Sequence, residues 1–257
     1  MTSLPPATTP SRPEAKLSRP VQVAEAIKDW VVERRLQAGD RLPGESELIE
    51  RFGMAKGTIR EAMRILEAQG LIKTRTGPGG GSFVHEVSTE RARALLGNYF
   101  YFKNLTVSDI YQLRRALEPE LAASLAGKLG DEVLAELEAN IATYAEPAKT
   151  LEEERAQHVA SLRFHAILAA RADNALLGFL IDFMVNMLSD LTVYRKLYSP
   201  PNIELWSKGR EYQVRLVDSL RAGDAKAARA IMSDHMGTAQ KLMEGQEAEM
   251  LRRFMSG

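Results

Sequence analysis

Apolar residues first recur at helical spacing from Val21, where Val23, Ile27, Trp30 and Val31 share one side until Gly39-Asp40 interrupts them. This predicts an amphipathic first helix. A short segment with Leu48, Ile49 and Phe52 on one side ends at Gly53, and a third helix begins near Ala55 and runs to Gln69, with Gly70 placed as a left-handed cap. From Leu71 to Arg75 the pattern changes to alternation, Gly77-Pro78-Gly79-Gly80-Gly81 forces a turn, and Ser82-Phe83-Val84 returns as a partner strand. Two short helices around a Gly-containing turn, followed by a hairpin, describe a winged helix-turn-helix.

Beyond Val87 only helical periodicity remains. It is broken at Lys103-Asn104, Gly130, Glu146-Pro147, Ala172-Asp173, Ser199-Pro200-Pro201 and Gly223, which predicts six or seven helices, with Leu113, Leu117, Leu121 and Leu125 forming one clear stripe. The fold class expected is mainly α: a disordered tail over 1–18, rich in Pro, Ser, Thr and Ala, a winged helix-turn-helix domain over 19–87, and an all-α bundle over 88–250.

Composition adds constraints. With 45% hydrophobic and 26% charged residues in 257, the chain can bury one or two ordinary cores. It contains no cysteine, so disulfides, thiolate metal sites and cysteine nucleophiles are excluded. The opening residues lack a signal-peptide core, and no run approaches the roughly 18 consecutive apolar residues of a membrane span; a cytoplasmic protein without membrane partners is expected. The 34 basic and 34 acidic residues cancel. Residues 1–87 sum to +2 and the remainder to −2, an asymmetry too small to identify a partner.

Placement says more than the sum. Lys56, Arg60 and Arg64 stand at i, i+4 and i+8 on the third helix, opposite Ile59, Met63 and Leu66. A basic ridge backed by an apolar one suits a helix that offers guanidinium groups to base edges and phosphates. The same spacing also describes a merely solvated face. Lys73 and Arg75 lead into the glycine-rich tip, where Gly77 and Gly79 let the backbone approach a phosphate or the minor groove closely.

The run LPGESELIERFGMAKGTIREAMRILEAQGLIKTRTGPGGGSFV, Leu42 to Val84, resembles the DNA-binding domain of GntR-family bacterial transcription regulators. The resemblance implies that Arg60 reads a guanine with Thr58 in support, and that Lys56 stands where arginine is commoner, a point charge in place of a bidentate fork. Ser46 replaces another contacting arginine, and Ala55 is a poor helix cap.

The stretches IYQLRRALEPELAASLA at 110–126, LRFHAILAARADNALLGFL at 162–180 and VRLVDSLRAGDAKAARAIMSDHM at 214–236 resemble the effector-binding FCD domain of the FadR branch. That resemblance implies a homodimer reading a palindromic operator in double-stranded DNA, most often as a repressor, with a small carboxylate effector in a helical pocket. The pocket positions carried over are Arg114, Ser161, His165, Gln213 and His235. Many members hold a divalent metal, zinc or nickel, through one Asp and three His; here only His165 and His235 match, with Ser161 and Gln213 as weak neutral donors, so the metal site is degraded. The two histidines are then metal ligands, effector donors or buried hydrogen-bonded groups. Arg114 either meets the effector carboxylate or pairs with Glu118 on the helix surface. His85 is expected at the surface or near a phosphate, and His158, one turn before Ser161, either at the surface or approaching the pocket, the surface being favoured. Catalysis is not expected, because no Ser-His-Asp set, phosphate loop or intact metal cluster accompanies the histidines; a purely architectural DNA-binding protein does not account for the large helical domain.

Overall fold

A computed structural model describes residues 17–256; the tail expected over 1–18 falls almost wholly outside them. The chain divides into two compact units between Ala92 and Arg93, five residues beyond the boundary read from the sequence and within a helix.

In the first unit, α1 (Arg19–Glu33), α2 (Glu45–Phe52) and α3 (Lys56–Gln69) are followed by an antiparallel hairpin of β1 (Ile72–Arg75) and β2 (Gly81–Val84). Ile72 pairs with Val84 and Arg75 with Gly81. The core is made by Val23, Ala24, Ile27, Leu42, Leu48, Ile59, Ala62, Leu66 and Ile72. Gly70 closes α3 at φ +81, a conformation disfavoured for side chains bearing Cβ, and its N–H bonds to the Glu67 carbonyl. This chain reversal sends β1 back along α3. Arg41 bridges to Phe83 and donates Nη2 to the Gly80 carbonyl at 2.7 Å, which ties the hairpin tip to the segment before α2.

The second unit comprises the rest of α4 (Thr89–Tyr101) and α5 (Val107–Leu125), α6 (Asp131–Ala142), α7 (Leu151–Ala169), α8 (Ala175–Tyr194), α9 (Ile203–Arg221) and α10 (Ala225–Ser256). Every break anticipated from the sequence falls between helices. Local chemistry sets their starts. Thr106 accepts from Asp109 N while Asp109 accepts from Thr106 N, a reciprocal box that opens α5. Thr150, Asn174 and Asn202 cap α7, α8 and α9 in the same sense.

The leucine stripe of α5 coincides with the core face only in part. The four leucines spaced by four do not share the core face: Leu113 is 54% exposed, Leu117 is half-buried, and Leu121 and Leu125 are buried. Steps of four advance 400° around a helix with 100° per residue, so such a stripe drifts by about 40° each time. The buried face is instead Val107, Ile110, Tyr111, Arg114, Glu118, Leu121, Ala122 and Leu125, with a cation and an anion inside it. α10 and α7 pack on this helix. α8 is long and apolar enough to pass a length-and-composition test for a membrane span, although Asp182, Asn186 and Asp190 interrupt it. It buries Ile181, Phe183, Met184, Val185 and Leu188 against the bundle.

Candidate functional site

Each unit gathers candidate functional side chains in one place. On α3 the apolar face, with Ile59, Ala62 and Leu66, is seated in the core, so the opposite face is fixed outward. Lys56, Arg60 and Arg64 are all well exposed there, and Thr58 is half-buried beside them. Two of the cations are held by a residue outside α3. Glu45, at the start of α2, takes Lys56 Nζ on one carboxylate oxygen at 3.2 Å and Arg60 Nε on the other at 2.8 Å. The Arg60 hydrogen bond, followed by Lys56, holds the Glu45 carboxyl below its usual range. Nothing in the spacing along α3 announces a partner eleven residues upstream. Arg64 reaches Glu61 at 3.4 Å. On the wing, Arg75 lies with its guanidinium 4.7 Å from the centre of the Phe83 ring, and Gly77 and Gly79 are exposed at φ +92 and +76. His85 is exposed, as anticipated.

The second concentration surrounds a cavity of about 50 Å³ in the helical unit. α5 contributes Tyr111 and Arg114; α7 contributes Glu154, Gln157, His158, Ser161 and His165, at spacings that put them on one face; α9 contributes Gly209 and α10 His235. Gln213 lies just behind this wall, fully buried, and joins it through Ser161. The five pocket positions inferred from the sequence are thus neighbours, tied by two hydrogen-bonded chains.

The first chain is ionic. Arg114 Nε donates to Glu118 Oε1, and Glu118 Oε2 meets His165 Nδ1 at 2.5 Å. His165 Nε2 lies 3.3 Å from His235 Nε2, with the rings stacked. The Arg114–Glu118 pair does form at i+4, but inside the bundle, with each partner only 1% exposed, and not on the helix surface. Burial opposes the ionised Glu118, yet Arg114 and His165 outweigh it and hold the carboxyl at about 2. Burial lowers His165 and, further, His235, so both are neutral near pH 7. The tautomers then follow. An ionised Glu118 only accepts, so His165 donates from Nδ1, its Nε2 becomes an acceptor, and His235 donates from Nε2.

The second chain is neutral. Tyr144 Oη donates to Gln213 Oε1 at 2.8 Å, and Gln213 Nε2 donates to the carbonyl and hydroxyl oxygens of Ser161 at 3.1 and 3.2 Å. Trp206 Nε1 in turn donates to the Tyr144 carbonyl. His158 takes the less favoured of its two expected positions: it is half-buried, lines the cavity, and is lowered to about 4 by burial and by the nearby Arg114 charge. Tyr144, Gln157 and Glu154 were not anticipated; only their spacing from His165 along α7 could have nominated the last two.

The donor set does not suit a divalent metal. No group of three or more His, Asp or Glu side chains is gathered to hold one among the described residues. The Gln213 amide spends its oxygen on Tyr144 and its nitrogen on Ser161, and Glu118 serves Nδ1 of His165, away from the imidazole lone pair. A cation between the two Nε2 atoms would displace the hydrogen bond that joins them and find no anionic ligand in return.

Comparison with known proteins bears on both units. Residues 20–84 match the family described as "Bacterial regulatory proteins, gntR family", and residues 109–238 match the FCD domain. The chain is 25% identical over 246 residues to the putative L-lactate dehydrogenase operon regulatory protein of Escherichia coli K12, covering 90% of this chain and 88% of that one. It is 24% identical over 211 residues to the transcriptional regulator LutR of Bacillus subtilis 168, covering 82% and 94%. A solved structure titled Streptococcus agalactiae GntR shares the fold, with a TM-score of 0.57, 23% identity, and coverage of 86% and 99%.

Proposed function

The chain belongs to the GntR family of bacterial regulatory proteins and carries an FCD domain, and from that premise we propose that it is a homodimeric, cytoplasmic repressor released from its operator by a small carboxylate. The head, residues 19–87, sets α3 in the major groove, where Arg60, with Thr58 beside it, reads a base and Lys56 and Arg64 engage phosphates. Arg75, Gly77 and Gly79 bring the wing to the adjoining backbone. Two heads joined through the 88–250 domains read the halves of a palindrome.

The observation that carries the sensing half is Arg114. Arg114 lines the cavity and is 1% exposed; Glu118 satisfies its Nε, and its Nη2 is buried without a hydrogen-bond partner within the protein. A buried guanidinium nitrogen without an acceptor is a strong site for a carboxylate oxygen. Ser161 and Gln213, and His165 and His235, hold the remaining wall in two hydrogen-bonded chains, neither of which needs a metal. A carboxylate with different affinity for two arrangements of the helical domain shifts their populations, and with them the affinity of the heads for DNA.

Selection of duplexes from a random pool by the full-length protein tests the DNA half: an inverted repeat is expected, and recovery of no enriched sequence contradicts it. Sedimentation at micromolar concentration is expected to give a dimer.

A further inference from the structure

The groove between α3 and the wing is lined by four guanidinium groups, Arg41, Arg60, Arg64 and Arg75, and by two carboxylates, Glu45 and Glu67. Both carboxylates are engaged: Glu45 takes Lys56 and Arg60, and Glu67 Oε1 accepts from Thr74 N at 3.0 Å. Arg64 reaches Glu61, and Arg75 lies over the Phe83 ring. Arg41 is exposed and pairs with no carboxylate among the described residues; its Nη2 donates to the neutral Gly80 carbonyl instead. The backbone builds a seat for this side chain. Residues 39–42 run beside β2, with Leu42 N donating to the Ser82 carbonyl and Val84 N to the Asp40 carbonyl, each at 2.8 Å, so Arg41 stands on the hairpin edge. Gly81, at φ +147, leaves open the space where a Cβ would meet Arg41 Nε at 3.0 Å. The guanidinium thus rests against bare backbone at the wing tip, on the groove that Arg60 and Arg64 line from α3. A cation held by a carbonyl keeps its whole charge for an incoming anion, and meeting one strands no carboxylate, as it does at Arg60. With Nη2 committed, the fork that a guanine edge requires is not free, whereas a phosphate oxygen accepts from any remaining N–H.

We infer that Arg41 is a further DNA-binding residue: from the wing side of the groove it holds a phosphate of the strand that passes between α3 and the wing, and it adds affinity without sequence preference. This rests on the reading of the head as a DNA-binding surface proposed above, and not on the base assigned to Arg60.

Titration of the full-length protein into the selected duplex and into a duplex of mixed sequence, over a series of KCl concentrations, gives the slope of log affinity against log salt. Each phosphate neutralised contributes about 0.9 to that slope. Arg41→Gln lowers it by about 0.9 for every head bound, by the same amount on both duplexes, and Arg41→Lys retains the wild-type slope. In an Arg75→Gln background Arg41→Gln lowers the slope again by the same amount, which a residue acting only through the position of the wing does not do. An unchanged slope in Arg41→Gln, a loss confined to the selected duplex, a slope that Arg41→Lys fails to retain, or no further loss in the Arg75→Gln background makes Arg41 a support of the wing and overturns the proposal, while the salt-dependent binding of the wild type leaves the DNA-binding reading standing. A wild-type affinity that is negligible on both duplexes, or indifferent to salt, overturns both.

Discussion

The two units use the same device in opposite surroundings. In the head, Glu45 takes Lys56 and Arg60 in solvent; in the helical domain, Glu118 takes Arg114 and His165 where water is excluded. In water the attraction is screened and each partner is readily exchanged, so a phosphate or base edge can replace Glu45. Inside, the charges have already given up their hydration and neither can leave without stranding the other. The same residue types therefore serve an exchangeable contact in one unit and a fixed framework in the other. Within the framework one guanidinium nitrogen, Arg114 Nη2, stays buried without an acceptor.

The sharpest way to break the comparison is Glu118→Gln. It strands the buried Arg114 charge and is expected to cost about 3–5 kcal/mol of unfolding free energy in denaturant titration; a loss no larger than that of a surface substitution would show the pair to be solvated. Next comes Arg60→Ala, expected to weaken binding to the selected duplex by about 1–3 kcal/mol and to relax preference at one base pair, read by competition against single-base variants. Equal losses on all sequences would make Arg60 a phosphate contact only. Acidification separates the units more gently. Between 6.5 and about 4 the unfolded chain protonates His158 while burial and Arg114 keep it neutral in the folded state. Stability thus falls as pH drops through that window, by up to about 1.4 kcal/mol per pH unit for one proton, and His158→Gln removes that part of the slope in melting curves. Smallest is Glu45→Gln: the melting temperature stays unchanged, while affinity for non-specific DNA at low salt rises by less than about fivefold. A fall in melting temperature would give Glu45 the structural role reserved here for Glu118.

Most of the architecture was legible because helix punctuation is local. Gly70, Gly130, the Ser199-Pro200-Pro201 break and Gly223 each act within a residue or two of where they stand, and every one falls at a helix end. The leucine stripe marks the helix but only part of its buried face, because an i+4 series drifts and because that face includes Arg114 and Glu118, which no hydrophobic pattern selects. The neighbouring pocket positions Arg114, Ser161, His165, Gln213 and His235 were nominated by resemblance, whereas their connections depend on tertiary proximity. His165 and His235 are 70 residues apart in the chain and 3.3 Å apart at Nε2. Glu45 escaped notice for the same reason, since the turn at Gly53 is what carries it to Arg60.

On the proposed function, occupation of Arg114 by a small carboxylate changes the affinity of the heads for DNA. Fluorescence anisotropy of a duplex selected by this protein, titrated with and without saturating L-lactate, measures that coupling directly. For the wild type the dissociation constant is expected to rise by about 5- to 150-fold, the usual span of such couplings. For Arg114→Lys, which keeps a charge opposite Glu118 and removes the free Nη2, no change is expected at the same lactate concentration. A wild-type dissociation constant indifferent to lactate and to glycolate, or a shift that persists undiminished in Arg114→Lys, would contradict the account.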